Sequence, residues 1–131
     1  MDVKVFISTQ FKDSCPEEKL SLLVNRFKEY KRTGRPHPTF GRDTTYDFPF
    51  SVKEAGMRHI HIKDKTSGKW HLKRVIYEKT SNTALIYCEG YIHKNHFLLL
   101  GFLENAHETY THNPQYLLDL AEIADNFRNK F

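Results

Sequence analysis

The chain has 131 residues, 39% hydrophobic and 27% charged, with 20 Lys+Arg against 16 Asp+Glu for a net charge of +4. That is the size of one domain, residues 1–131, with a modest core, and the composition is that of a chain that folds. Cys15 and Cys88 lack CxxC spacing, the longest uncharged apolar run (97–103) is too short to cross a bilayer, and Met1-Asp2-Val3-Lys4 opens no signal peptide, so a reduced, cytoplasmic protein without a membrane anchor is expected.

Val3-Lys4-Val5-Phe6-Ile7 predicts a short first strand. Ser14 with Glu17 three residues on reads as a capping box, and Pro16 suits the first helical turn. Leu20, Leu23, Phe27 and Tyr30 recur at helical spacing, Lys28, Lys31 and Arg32 load the C-terminal end, and Gly34 is the expected stop. From Arg35 to Val52 the chain reads as an irregular loop punctuated by Pro36, Pro38 and Pro49. Loops of that length in small domains are often functional, though Phe40, Tyr46, Phe48 and Phe50 also suit a packed connector.

Four strands are predicted next: Met57–Lys63, a hairpin of Trp70–Lys79 with Thr83–Tyr91 turning near Ser81-Asn82, and His96–Glu104, which is the most apolar and therefore expected to be central. Asn113-Pro114 reads as the cap of a final helix whose apolar face is Leu117, Leu120, Ala121, Ala124 and Phe127. The fold class is thus α+β, a small antiparallel sheet with an N-terminal and a C-terminal helix on its flanks.

Alternate side chains of a strand share a face, so His59 and His61 point together while Ile60 and Ile62 point to the core. Three readings of that pair stand: a partial metal site, histidines on a wet sheet face, or acid/base groups. No third ligand lies at a recognisable spacing, so no metal is expected. RNA is cleaved without a metal when a base takes the 2′-OH proton, the oxygen attacks the adjacent phosphate, and an acid protonates the departing 5′-oxygen. Histidine suits both tasks, arginine or lysine offsets the added charge, and aromatic rings stack the bases. Here His59, His61 and His107 are acid/base candidates, Arg42, Arg58, Lys73 and Arg74 phosphate-binding candidates, and Tyr46, Trp70 and Tyr110 stacking or proton-donating candidates. Cross-strand ion pairing with Glu78 or Glu89 is the plain alternative for Lys73 and Arg74.

Several stretches together resemble a known family. They are Tyr30-Lys31-Arg32, Phe40-Gly41-Arg42-Asp43 with Tyr46-Asp47, His59-Ile60-His61, Ile86-Tyr87-Cys88-Glu89-Gly90, Leu98-Leu99, and Asn126-Phe127-Arg128 with Lys130-Phe131. In order and spacing they are similar to the YafO toxins of bacterial type II toxin–antitoxin modules. The resemblance implies a RelE-like fold and a ribosome-dependent mRNA interferase that cuts translated mRNA, arrests growth and is neutralised by a cognate antitoxin; the expected partners are antitoxin, ribosome and mRNA. The stretch from Gly68 to Glu78 matches less closely, so Trp70, Lys73 and Arg74 rest on residue chemistry alone.

The expected catalytic set is His59, His61, Arg74 and His107. The expected RNA-binding set is Arg42, Asp43, Tyr46, Arg58, Trp70, Lys73 and Tyr110, with no cofactor. Asp43 and Asp47 are unusual in a phosphate loop and suit orienting Arg42 or an imidazole instead. An acidic or amphipathic antitoxin segment is expected over the first helix and the site cleft. The alternatives are a non-catalytic RelE/ParE-like toxin that inhibits a protein target, and a histidine-rich RNA-binding module.

Overall fold

In the computed structural model, which describes residues 2–131, strand β1 (Lys4–Ile7) leads directly into a short helix α1 (Thr9–Ser14). Ser8 makes this turn possible: its hydroxyl accepts from Phe11 N–H at 3.0 Å and donates to Leu100 O at 3.0 Å, capping α1 and tying it to the sheet. Helix α2 (Glu17–Thr33) follows and ends at Gly34, in the left-handed region at φ 78°, whose N–H reaches Tyr30 O at 2.7 Å. The expected Ser14–Glu17 capping box is corrected here. Pro16 is the N-cap, without a side-chain cap bond, and Ser14 Oγ instead accepts from Phe102 N–H at 3.0 Å.

The 35–52 segment is not an irregular loop throughout. It contains strand β2 (Phe40–Thr45) and helix α3 (Phe50–Glu54). Strands β3 (Met57–Ile62), β4 (Thr83–Glu89) and β5 (His96–Leu103) complete one sheet in the order β1-β5-β4-β3-β2. The β1–β5 pair is parallel and the other three are antiparallel. β5 is interior, but β4 is the middle strand.

The expected strand Trp70–Lys79 does not form. Both edges of β4 are taken by β3 and β5, so the segment has no edge of β4 to join. It forms two single 3-10 turns, Trp70–Leu72 and Ile76–Glu78, and lies beside β2, where Lys79 O accepts from Arg42 N–H at 2.8 Å. Two further helices, α4 (Ala106–His112) and α5 (Gln115–Lys130), bring the described residues to five helices. Asn113, expected to cap α5, is instead the C-cap of α4.

Both faces of the sheet are covered. Leu23 and Phe27 of α2 and Phe11 of α1 pack against Phe40, Ile60, Leu85, Tyr87, Phe97 and Leu99. On the opposite face, Leu117, Leu120, Ala121, Ala124 and Phe127 of α5, with Val52 of α3, pack against Met57, Ile86, Cys88, Leu98 and Leu100. Side chains of β3 therefore alternate between two apolar layers, and neither of its faces is fully wet. Cys15 and Cys88 are buried free thiols, and burial pushes Cys88 up to about 12. No helix of the described residues is long and apolar enough to cross a membrane.

Candidate functional site

β3 carries His59 and His61 on the α5 side of the sheet, with ring centroids 5.4 Å apart. Past Thr45 the chain turns so that the Tyr46 ring lies over His59, centroids 4.2 Å apart at 26°. Tyr110, on α4, meets Tyr46 edge-on and the two hydroxyls are 2.5 Å apart. Burial pushes Tyr110 up to about 12, so this phenol holds its proton at neutral pH.

Both imidazoles are disfavoured as cations. Burial first, then the charges of His61, Arg42 and Arg58, push His59 down to about 4, although Asp43 opposes the shift. His61 is lowered mainly by burial, with Arg42 and His107 adding to it. The Ser81 peptide holds the His61 ring, with Ser81 N 2.9 Å and Ser81 O 3.0 Å from Nδ1. In the Nε2–H tautomer Ser81 N–H donates to Nδ1; in the other tautomer Nδ1–H donates to Ser81 O. His59 Nδ1 is buried and has no hydrogen-bond partner among the described residues.

Strand register places the remaining groups along this pair. Phe40 pairs with Ile62 and Asp43 with Ile60, so Arg42, in the irregular stretch between them, lies level with the His61 end. Its Nε donates to Tyr77 O at 2.7 Å and its guanidinium lies 3.7 Å from the Tyr77 ring centre. His107 opens α4 on the same end, its backbone N–H donating to Asn82 Oδ1 at 2.8 Å, and its imidazole is exposed. The structure thus brings together His59, His61, Tyr46, Tyr110, Arg42 and His107.

Asp43 and Arg58 lie elsewhere. They face α2, on the opposite side of the sheet from the histidines. The Asp43 carboxylate accepts from Tyr30 at 2.8 Å, from Tyr87 at 2.8 Å, and from Lys31 and Arg58 at 3.3 Å each. Lys31 also donates to Tyr87 at 2.9 Å and sits over the Tyr30 and Tyr87 rings. Residue chemistry alone did not single out Tyr30, Lys31 and Tyr87 as partners of Asp43, although all three lie in the stretches that carry the family resemblance.

Trp70 is 2% exposed, and its indole N–H donates to Thr80 O at 3.0 Å, so its ring anchors the 70–79 loop and presents no open face for a base. Gly41 lies against this anchor: a Cβ there would run into Lys79 O and the Trp70 ring. Lys73 and Arg74 stand exposed at the loop's outer edge. Among the described residues no three His, Cys, Asp or Glu side chains are grouped as ligands for a metal ion.

No solved structure matches the chain. Of curated proteins, the mRNA interferase toxin YafO of Escherichia coli (strain K12) is 25% identical over 132 residues, covering 98% of this chain and all of that protein. The family described as "Toxin YafO, type II toxin-antitoxin system" matches residues 28–129, a span that takes in β2, both histidines, the 70–79 loop and nearly all of α5. By that match the chain belongs to the YafO family of toxins of type II toxin–antitoxin systems.

Proposed function

We propose that this toxin is a cytoplasmic endoribonuclease, an mRNA interferase that cuts translated mRNA on ribosomes, arrests growth and is silenced by a cognate antitoxin. Family membership supports the toxin and antitoxin halves of this reading, and the relative's name supports the RNA-cutting half. The observation that carries the chemistry is the pair of sequestered imidazoles beside an arginine and two phenols. In the same reading the sheet with α2 and α5 forms a RelE-like single domain.

His59, unprotonated at neutral pH, is suited to take the proton of a 2′-OH. The 2′-oxygen then attacks the adjacent phosphate, and the 5′-oxygen leaves with a proton from a second imidazole, His61 or His107. A bound phosphate raises the pKa of an imidazole it touches, which is how that second ring acquires the proton it gives up. Arg42 offsets the charge gathering on the phosphate, and Arg74 and Lys73 extend the positive surface toward incoming RNA. Tyr46 and Tyr110 line the path of the bases. Asp43 acts from behind, fixing β2 and Arg58 rather than touching RNA. The products are a 2′,3′-cyclic phosphate and a 5′-OH, and the scheme runs on the chain's own side chains.

The test maps cuts in a defined mRNA with and without translating ribosomes, in the presence and absence of chelator. The expected result is ribosome-dependent cutting that survives chelator, with Arg42→Ala about a hundredfold slower and still folded. A double variant His59→Ala, His61→Ala that folds and still arrests growth would overturn the nuclease and favour inhibition of a protein target.

A further inference from the structure

The two ends of the histidine pair border different chemistry. At the His61 end lie Arg42 and His107, both close enough to lower the charge of that ring. At the His59 end, Thr45 pairs with Arg58 and Tyr46 N–H reaches Met57 O, so the chain from Tyr46 to Pro49 runs past His59 and away from Arg42. Between that stretch, α4 and the start of α5 is a cleft of about 330 Å³. Its walls include the rings of His59, Tyr46 and Tyr110 and the side chain of Leu117, with Phe48 and Asp47 on the β2 side.

Three features decide what this cleft fits. Among the described residues no lysine or arginine lines it and its one carboxylate is Asp47, so it repels a phosphate and accepts a neutral ligand. Most of its lining is apolar, and Phe48 is 82% exposed, an aromatic face without a ring or cation stacked on it among the described residues. His59 is part of its lining, and the Nδ1 of that ring is buried without a hydrogen-bond partner among the described residues. Aromatic walls with a few polar groups at one edge are what single-stranded RNA bases are splayed into.

We propose that this cleft is a nucleobase subsite, with Phe48 as its stacking platform and Asp47 setting a preference for guanine. The assignment rests on the endoribonuclease reading above. An ionised carboxylate only accepts hydrogen bonds. Guanine presents two adjacent donors, N1–H and N2–H, on one edge, and a carboxylate meets both at once. Adenine and cytosine offer a single amino group there, and the N3–H of uracil is flanked by two carbonyl oxygens that a carboxylate repels. A base seated here places its own ribose beside His59 and sends the adjoining phosphate along β3 toward His61 and Arg42. That is the order of groups the cleavage step needs.

The experiment is an NMR titration of the full-length protein with guanosine 5′-monophosphate and with uridine 5′-monophosphate, a readout that requires no cleavage. The expected result is saturable shifts at Tyr46–Phe50 and Tyr110, with the guanine nucleotide binding about tenfold or more tighter. Phe48→Ala should weaken both nucleotides about tenfold, and Asp47→Asn should erase the difference between them. Both positions are exposed, so neither variant threatens the fold. Absence of saturable shifts at the cleft, or titrations unchanged in Phe48→Ala, overturns the subsite.

Cut mapping separates the two readings. If the wild type cuts mRNA and Asp47→Asn leaves the base composition at the cut sites unaltered, the subsite falls and the nuclease stands. If the wild type cuts nothing, the nuclease reading falls and the titration alone decides the subsite.

Discussion

The Tyr46 ring lies flat on the His59 imidazole, 4.2 Å between centroids. That stack helps remove His59 from water, and the loss of hydration is the largest reason its pKa falls to about 4. A group shifted in this direction makes stability depend on pH. The unfolded chain takes up a proton near the ordinary 6.5, whereas the folded chain resists until about 4. The stabilisation is complete above pH 6.5 and is lost as the pH falls toward 4.

His59 accordingly contributes up to about 3 kcal/mol to that pH dependence, and His61, also lowered, adds in the same direction. Urea midpoints at pH 7.5 and pH 5.0 measure it. The wild type should lose stability between them, and His59→Phe, which keeps the stack and the volume, should lose clearly less. Equal losses in the two proteins would refute the assignment.

Asp43→Asn should destabilise the fold by about 3 kcal/mol. The substitution leaves the charge of Lys31 in a largely buried place without its counterion, and burial already lowers the Lys31 pKa despite Asp43. Adding Lys31→Met removes the stranded charge and should recover part of the loss. Denaturant unfolding of the single and double variants checks both statements; a single-variant loss below about 1 kcal/mol would mean the network is not a stabilising unit.

Gly41→Ala should push the Trp70 anchor out of place and cost about 2 kcal/mol, because the new methyl group meets both the Trp70 ring and Lys79 O. Trp70 is the chain's one tryptophan, so its fluorescence reports the anchor directly. Emission should move to longer wavelength in the variant, and trypsin should cut faster at Lys73 and Arg74. An unmoved emission maximum would show that the loop tolerates the methyl group.

The parts of the fold that were legible in the sequence are those whose apolar period matches their final environment. Leu23 and Phe27, or Leu117, Leu120, Ala121 and Ala124, recur every three to four residues and bury that face. β2 was illegible because Phe-Gly-Arg-Asp-Thr-Thr has no apolar alternation. It is an edge strand with an irregularity at Gly41-Arg42, and its inward carboxylate is satisfied by four donors instead of by apolar contact. The 70–79 segment misled in the opposite sense. It is rich in strand-forming residues, yet both edges of its expected partner β4 are taken by β3 and β5, and only the tertiary arrangement determines that.

The site was half legible for the same reason. Period two puts His59 and His61 on one face, but α4, unread in the sequence, is what brings Tyr110 to His59. Only the structure, by making a strand of residues 40–45, puts Arg42 and Asp43 on opposite faces and separates two neighbours grouped above as RNA contacts.

The parallel pairing of β1 with β5 sets an order of events in the life of this toxin. Lys4 pairs with His96 and Ile7 with Leu99, and the Ser8 cap reaches across 92 residues to Leu100. These contacts close only after three-quarters of the polypeptide has been made, and such distant closures are slow. Newly made chains therefore spend an interval with one edge of β5 uncovered before the sheet is whole.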